Sequence, residues 1–587
     1  MIGDGQTAAL VDDAGAIVWL CWPRFDSDAC FASLVGSSEN GRWSLVVRDI
    51  VRTRRAYRED TLILETTIDT STGSAVVLDF MPMRGEASDV VRVVRCVHGE
   101  VAFDMCLDPR FDYGRRRPRW RATSPHEAVA FAGPAALRVR AFGTKLDVAD
   151  DACTASPLLR AGESAAFVLT FFPSHLAPPQ SVDVDRALED TDHFWRNWIA
   201  RCTYDGPWKE VVRRSLMTMK ALVYAPTGGI VAAATSSLPE RVGGSRNWDY
   251  RYCWVRDATF TLLAFLHAGY VDEAKAWREW LVRALGGEPG DVQPVYGVAG
   301  EPRILEWEAD WLGGYEGSRP VRFGNGAFSQ WQLDVFGELI DALFQAHRAG
   351  LKLTEEDWSI HCRMIEAIEQ VWQKPDRGIW ESRGKPRRFV QSQVMVWTAL
   401  DRCVRLAEAE HRPAPLERWR ALRARVHDEI CARGFNEKLG SFTRAFDDDE
   451  LDASVLLMLH VGFLPPTDPR IRSTVARIGH DLCVDGFIRR YAPERSDDGV
   501  GGSEAAFLAC GFWYADALVL TGERAEAERM FERLVGICNG FGLLSEEYDT
   551  AGARLVGNLP QALSHLSLVN TACNLASDAG PAKQRSS

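Results

Sequence analysis

The sequence predicts a β-sandwich at the N-terminus followed by a six-hairpin helical toroid, an (α/α)6 barrel. Three observations predict it. The first stretch, 1–180, is made of short runs rich in β-branched residues that are broken by Gly, Asp and Ser turns. After Pro173 the apolar spacing changes from two residues to three and four. From there to the C-terminus about twelve helical segments follow one another, which suits six hairpins closed on themselves.

The strand candidates come first. They include Ile17-Val18-Trp19-Leu20-Cys21-Trp22, Thr61 to Ile68, Ala75 to Phe80, Val90 to Val97 and Ala166 to Phe172. A linker helix is predicted within 181–205, over Asp185 to Ile199. The barrel is predicted over 206–578, with helices near 208–225, 257–268, 271–285, 327–348, 355–374, 390–409, 415–432, 450–461, 469–482, 503–521, 523–538 and 559–577. Phe336, Leu339, Ile340 and Leu343 show the stripe that such a helix buries. A solenoid of helical repeats is the competing fold, but no fixed period repeats along the chain. The segment 579–587 reads as a short, polar, frayed tail.

The loops between helices carry information too. Residues 286–326 hold Gly, Pro, Trp and charged residues without helical spacing, and further loops lie at 484–502 and 540–558. Long loops of this kind in a compact domain usually build a site.

Composition narrows the function. The net charge of −13 argues against a nucleic acid as partner, and the basic cluster Arg115, Arg116, Arg117 and Arg119 reads as a local solvated edge. No apolar run approaches the ~18 residues of a membrane span, and the first residues lack the pattern of a secretory signal. The 14 cysteines form no Cys-x-x-Cys pair and no His-Glu-x-x-His is present, so reduced thiols in a cytoplasmic protein are expected, with no metal and no cofactor. The expected partner is a small carbohydrate, with neither nucleic acid nor membrane involved; self-association stays open.

Three segments mix aromatic rings with charges at loop positions. They are Asn247-Trp248-Asp249-Tyr250-Arg251-Tyr252-Cys253-Trp254-Val255-Arg256-Asp257, Gly378-Ile379-Trp380-Glu381 and Leu544-Ser545-Glu546-Glu547-Tyr548-Asp549. Sugars need that mixture, because aromatic faces cover their C–H surface and charged groups bind their hydroxyls. Each residue also has a plainer reading. Glu381 by itself is a helix-end charge, Glu547 rivals its neighbour Glu546, Arg256 and Asp257 suit an ion pair opening a helix, and Glu306, Glu308 and Asp310 in the long loop have no assigned role.

Taken together the segments resemble glycoside hydrolase family 15, the glucoamylase and bacterial trehalase family. Trp19 to Asp26 is similar to the opening of its prokaryotic members, and Trp254-Val255-Arg256-Asp257 to its Trp-x-Arg-Asp signature. Gly378 to Glu381 resembles its general-acid segment and Ser545 to Asp549 its general-base segment. The resemblance implies Glu381 as general acid and Glu546 as general base. It implies that Arg256 and Asp257 grip the terminal glucose, with Tyr250 and Trp254 lining that subsite. Arg490 is implied as a further sugar-binding cation, and Trp380 beside the acid joins the substrate-binding set.

The function so implied is exo-acting hydrolysis of an α-glucoside with inversion, releasing β-glucose. Gly314 to Arg322 resembles a loop of bacterial trehalases and favours α,α-trehalose as substrate. Glucoamylase-like cleavage of malto- or isomalto-oligosaccharides, an inverting disaccharide phosphorylase and a non-catalytic glucan-binding protein are the alternatives. Inversion requires carboxyl groups ~6.5–9.5 Å apart with a water between base and sugar. It also requires Glu381 protonated and Glu546 ionised near neutral pH.

Overall fold

The computed structural model describes residues 1–149, 151–286, 291–494, 496, 498–577 and 579–587. Two compact units emerge. The first comprises Met1–Arg201, Met217–Pro226 and Glu308–Val321, and the second Cys202–Leu216, Thr227–Trp307 and Arg322–Ser587.

The first unit is rich in sheet. Its organising strand, Ser88–Asp108, spans 21 residues. Its first half pairs antiparallel with Gly73–Phe80 and Ser164–Pro173. Its second half pairs with Arg42–Val47, Cys153–Ala155 and Leu158–Arg160. Val91, Val93, Phe103 and Leu107 of this strand are buried, as β-branched and large apolar residues at alternate positions dictate. Helix α1, Val184–Ile199, starts where the Asp183 carboxylate accepts the amide of Arg186.

Residues 308–321, predicted with the barrel, belong to this sheet-rich unit. The Trp311 indole donates to the Tyr113 carbonyl, the Arg115 guanidinium lies 4.9 Å from the Trp311 ring, and the Gly314 amide donates to the Val35 carbonyl. Part of the segment on which the choice of trehalose leaned, Gly314–Val321, is therefore packing for the first unit. Two more arginines of the basic cluster are also spent locally, Arg116 on Asp112 and Arg117 on Glu39.

The second unit is helical; the residues of α2, Lys209–Ala221, are divided between the two units at Leu216 and Met217. Its further helices are α3 Ala258–His267, α4 Val271–Ala284, α5 Asp334–Arg348, α6 Glu355–Val371, α7 Val390–Ala409, α8 Leu416–Arg433, α9 Leu457–His460, α10 Pro469–Asp481, α11 Leu508–Thr521, α12 Arg524–Val535, α13 Ala562–Ala576 and α14 Pro581–Ser586. Two kinds of helix differ in pattern. In α5 every residue from Asp334 to Ala346 is buried, and in α13 every residue from Ala562 to Leu575. In α8 only Trp419, Leu422, Val426 and Ile430 are buried, a single stripe. A helix apolar all round needs neighbours on every side, while a striped one lies against a single surface. The packing follows: α3 meets α5, α5 meets α7, α7 meets α9, α9 meets α11, α11 meets α13, and α13 meets α3, while α4, α8, α10 and α12 lie against members of that series.

Two expectations change. The region 450–461 forms a 3-10 turn, Ala453–Leu456, and only the one-turn α9, because the Asp452 side chain caps the Ser454 amide and also holds the Trp380 indole. The tail is not frayed. Pro581 opens α14, and Arg585 is buried, with Nε donating to Asp341 Oδ2 at 2.5 Å and Nη2 to Glu338 Oε2 at 2.8 Å. Two buried carboxylates without a cation would be costly, so the chain end is drawn in. None of the helices among the described residues is long and apolar enough to cross a membrane.

Candidate active site

The pocket is built by loops of the second unit that lie far apart in sequence. Glu240, Arg246, Trp248, Tyr250, Gln330, Trp380, Glu381, Arg383, Arg490, Tyr491 and Asp498 are among its lining residues.

Strand alternation orients the first motif. Asn247, Asp249 and Arg251 are fully buried, with Arg251 Nε and Nη2 held by the Asp249 carboxylate at 2.9 and 2.6 Å. Trp248 and Tyr250 thereby take the opposite side, toward the pocket. The Tyr250 ring meets the Trp254 ring edge-on at 5.2 Å.

Glu381 ends a tight turn in which its amide donates to the Gly378 carbonyl. Its φ of 56° lies in the left-handed region, an uncommon place for a residue other than glycine. The turn is held from three sides. The Asp376 carboxylate accepts the amides of Gly378 and Leu333 and the Ser392 hydroxyl, the Gln330 side-chain amide donates to the Glu381 carbonyl, and the Trp380 indole donates to Asp452. The Glu381 Oε1 atom accepts the Trp254 indole N–H at 2.5 Å and Arg256 Nη1 at 3.2 Å. Burial raises the pKa of this carboxyl, while Arg256 and the Trp254 hydrogen bond pull it back.

Arg256 is the hub between acid and helix α3. Its Nη1 also donates to the Ile379 carbonyl at 2.8 Å, and its Nε pairs with Asp257 Oδ1 at 3.2 Å. Asp257 precedes α3 but makes no capping bond with its side chain. Its carboxylate faces Arg256 instead, so the ion pair orients the guanidinium rather than opening the helix. Trp380 is fixed by Asp452, stacks at 5.9 Å on Trp513 and meets Phe507 edge-on at 5.4 Å.

Glu546 and Glu547 separate cleanly. The Glu546 backbone is fastened at both ends, its amide to the Asn558 carbonyl and its carbonyl to the Leu508 amide. Its carboxylate is buried, and among the described residues no backbone amide or guanidinium donates to it; the Tyr250 hydroxyl is its neighbouring donor. Gly557, at φ 77°, makes room, since a Cβ there would lie 2.8 Å from Glu546 Oε2. Burial first, then the neighbouring Glu240, push the Glu546 pKa to about 8. Against the expectation of a Glu546 ionised across the neutral range, desolvation and a like charge favour its protonated form. The Tyr250 hydroxyl is raised by burial and then by Glu546, Glu240 and Glu381.

Arg490 sits in an acidic nest. Its Nη2 lies 3.0 Å from Glu240 Oε2, 2.7 Å from Glu504 Oε2 and 3.3 Å from Glu547 Oε1. Glu240, Glu504 and Glu547 are close enough together to ligate a cation. The Arg490 guanidinium already supplies that positive charge.

Sequence reasoning missed Glu240, Arg246, Arg383, Tyr491, Asp498 and Glu504, and left Glu306 unassigned. Glu306 grips Arg383 with both oxygens, at 2.9 and 2.5 Å. The signal for Arg383 was its place two residues beyond the acid. Glu240 and Asp498 carry no comparable local signal. Glu308 and Asp310 fall in the first unit.

Comparison with known proteins agrees with this geometry. Residues 206–573 match the model of glycosyl hydrolases family 15, and residues 1–169 that of the trehalase-like N-terminal domain. The chain is 37% identical over 598 residues to a trehalase of Mycolicibacterium smegmatis, covering 97% of this chain and 89% of that one. It is 33% identical over 583 residues to a trehalase of Thermoplasma acidophilum, covering 96% and 98%. The crystal structure of a bacterial glucoamylase complexed with acarbose superposes with a TM-score of 0.73 at 14% identity, over 98% of this chain and 93% of that one, which shows a shared fold.

Proposed function

The chain belongs to glycosyl hydrolases family 15 and is a glycoside hydrolase, and from that premise we propose that it hydrolyses α,α-trehalose to glucose with inversion. Its helical unit is a six-hairpin toroid on this reading, supported by the series α3, α5, α7, α9, α11, α13 returning to α3. The N-terminal sheets form the sandwich, and 1–180, 181–205, 206–578 and 579–587 are the chain's successive segments.

The observation that carries the proposal is the asymmetry of two carboxyl groups around one phenol. Glu381 receives two donors on Oε1, from Trp254 and Arg256. Its proton therefore resides on Oε2, the general acid's donating atom, which protonates the glycosidic oxygen as the bond breaks. Glu546 receives no backbone amide and no guanidinium on either oxygen among the described residues, the Tyr250 hydroxyl being its nearby donor, which leaves lone pairs for a water. A carboxyl group held at about 8 is a stronger base than an ordinary one, and proton transfer is most effective when the pKa lies near the working pH. Glu546 thus deprotonates water on the face opposite the departing sugar. Positive charge on the ring in the transition state is met by these carboxylates and by the electron-rich faces of Tyr250, Trp254 and Trp380. Arg256, oriented by Asp257, and Arg490, oriented by its acidic nest, hold the hydroxyls of the reacting glucose.

The deciding experiment compares kcat/KM on trehalose, maltose, isomaltose and longer glucans. Trehalose is expected to lead by at least tenfold. A lead for maltose or isomaltose refutes the choice of substrate, and glucose 1-phosphate formed only with inorganic phosphate refutes hydrolysis.

A further inference from the structure

We propose that Arg383 recognises the second, leaving sugar, reading the hydroxyls of a neutral hexose at the pocket mouth; the inference rests on the disaccharide hydrolysis proposed above.

Arg383 lines the pocket two residues beyond Glu381, with its side chain 34% exposed. A long, exposed arginine is ordinarily mobile, yet this one is immobilised three times over. Both its terminal nitrogens are clamped by Glu306. Its guanidinium lies 4.3 Å from the Trp248 ring, whose other guanidinium neighbour, Arg322 at 4.7 Å, is also within 3.9 Å of Glu306. Its backbone is held by the Asp498 carbonyl, which accepts the amides of Arg383 and Gly384 at 2.8 Å each. That approach demands Gly499, at φ 80°, where a Cβ would fall 2.3 Å from the Arg383 carbonyl carbon.

A guanidinium has five N–H groups. Glu306 takes two, and it is the only side-chain hydrogen-bond partner of Arg383 among the described residues. Three N–H groups in fixed directions therefore remain, on a side chain that borders the same pocket as Glu381. Glu306, shared with Arg322, offsets part of the charge of the fork, and its free N–H groups suit hydroxyl oxygens. Holding the donors rigid before binding removes the entropy of ordering them later. Position settles which ring is read, because the departing sugar lies on the side of the acid and the water on the side of the base.

The test uses a substrate whose leaving group has no ring. The full-length enzyme and its Arg383→Met, Arg383→Lys and Glu306→Gln variants are assayed on trehalose and on α-glucosyl fluoride. Arg383→Met is expected to lose about tenfold or more in kcat/KM on trehalose while staying within twofold on the fluoride. Arg383→Lys fails to rescue trehalose, because it keeps the charge and loses the fork, and Glu306→Gln shifts the ratio in the same direction. Equal losses on both substrates, or none on either, overturn the inference. So does turnover of trehalose 6-phosphate faster than trehalose. If the native enzyme proves to cleave maltose and not trehalose, the function proposed above fails while this inference is decided by the same ratio on maltose.

Discussion

Glu546 and Glu547 are neighbours in the chain and opposites in chemistry. Glu547 is engaged, accepting the Ala505 amide on one oxygen at 2.8 Å and facing Arg490 across 3.3 Å on the other. Glu546 is buried, and among the described residues it takes neither a backbone amide nor a guanidinium. A base that must bind water needs the second condition, and a scaffold carboxylate needs the first.

Glu381→Gln and Glu546→Gln should each lower kcat by about 10²–10⁴-fold while the folded far-UV spectrum is kept. Glu547→Gln should instead retain kcat within about tenfold and melt at a lower temperature, since it leaves the Arg490 nest short of a partner. Steady-state kinetics and thermal melts of the three proteins decide this. A Glu547→Gln enzyme as dead as Glu546→Gln would reverse the assignment.

The position of Glu546 also makes stability depend on pH. Its folded pKa, about 8, lies above the 4.5 of an unperturbed glutamate. Between those values the folded chain keeps a proton that the unfolded chain has released, so folding stability falls as pH rises through this window. Glu546→Gln removes that titration. The melting temperature of the variant relative to the native enzyme should therefore increase from pH 5 to pH 8, read by calorimetry at each pH. A constant or shrinking difference contradicts the buried, protonated state. The acidic limb of kcat/KM should likewise extend into the neutral range.

Arg585→Met should destabilise the fold by about 3–5 kcal/mol, because the buried Glu338 loses its cation and Asp341 keeps only Arg402. The loss should be larger at pH 8 than at pH 6, where protonation of Glu338, with its pKa of about 7, relieves part of it. Denaturant unfolding at the two pH values checks the sign.

Much of this architecture is readable from residue patterns. The buried faces of α5 show in the spacing of Phe336, Leu339, Ile340 and Leu343, and the acid and base segments show in their mix of tryptophan, glutamate and tyrosine. Other features depend on chain segments that meet only in the fold. Arg383 matters because Glu306, Trp248 and Asp498 converge on it from three loops, and no local spacing encodes that convergence. The raised pKa of Glu546 arises from its burial and then from Glu240, which lies just past the strand Ser236–Pro239, far away in the chain. The tail did carry a local signal in Gly580-Pro581, since proline suits the first turn of a helix; its polar composition masked it.

The central claim, a single displacement by water driven by two opposed carboxyl groups, is tested most directly by proton NMR of the first glucose released from trehalose. Inversion at the attacked ring, with the other ring leaving unchanged, predicts β- and α-glucose in equal amounts before mutarotation. α-Glucose alone at the earliest times contradicts it.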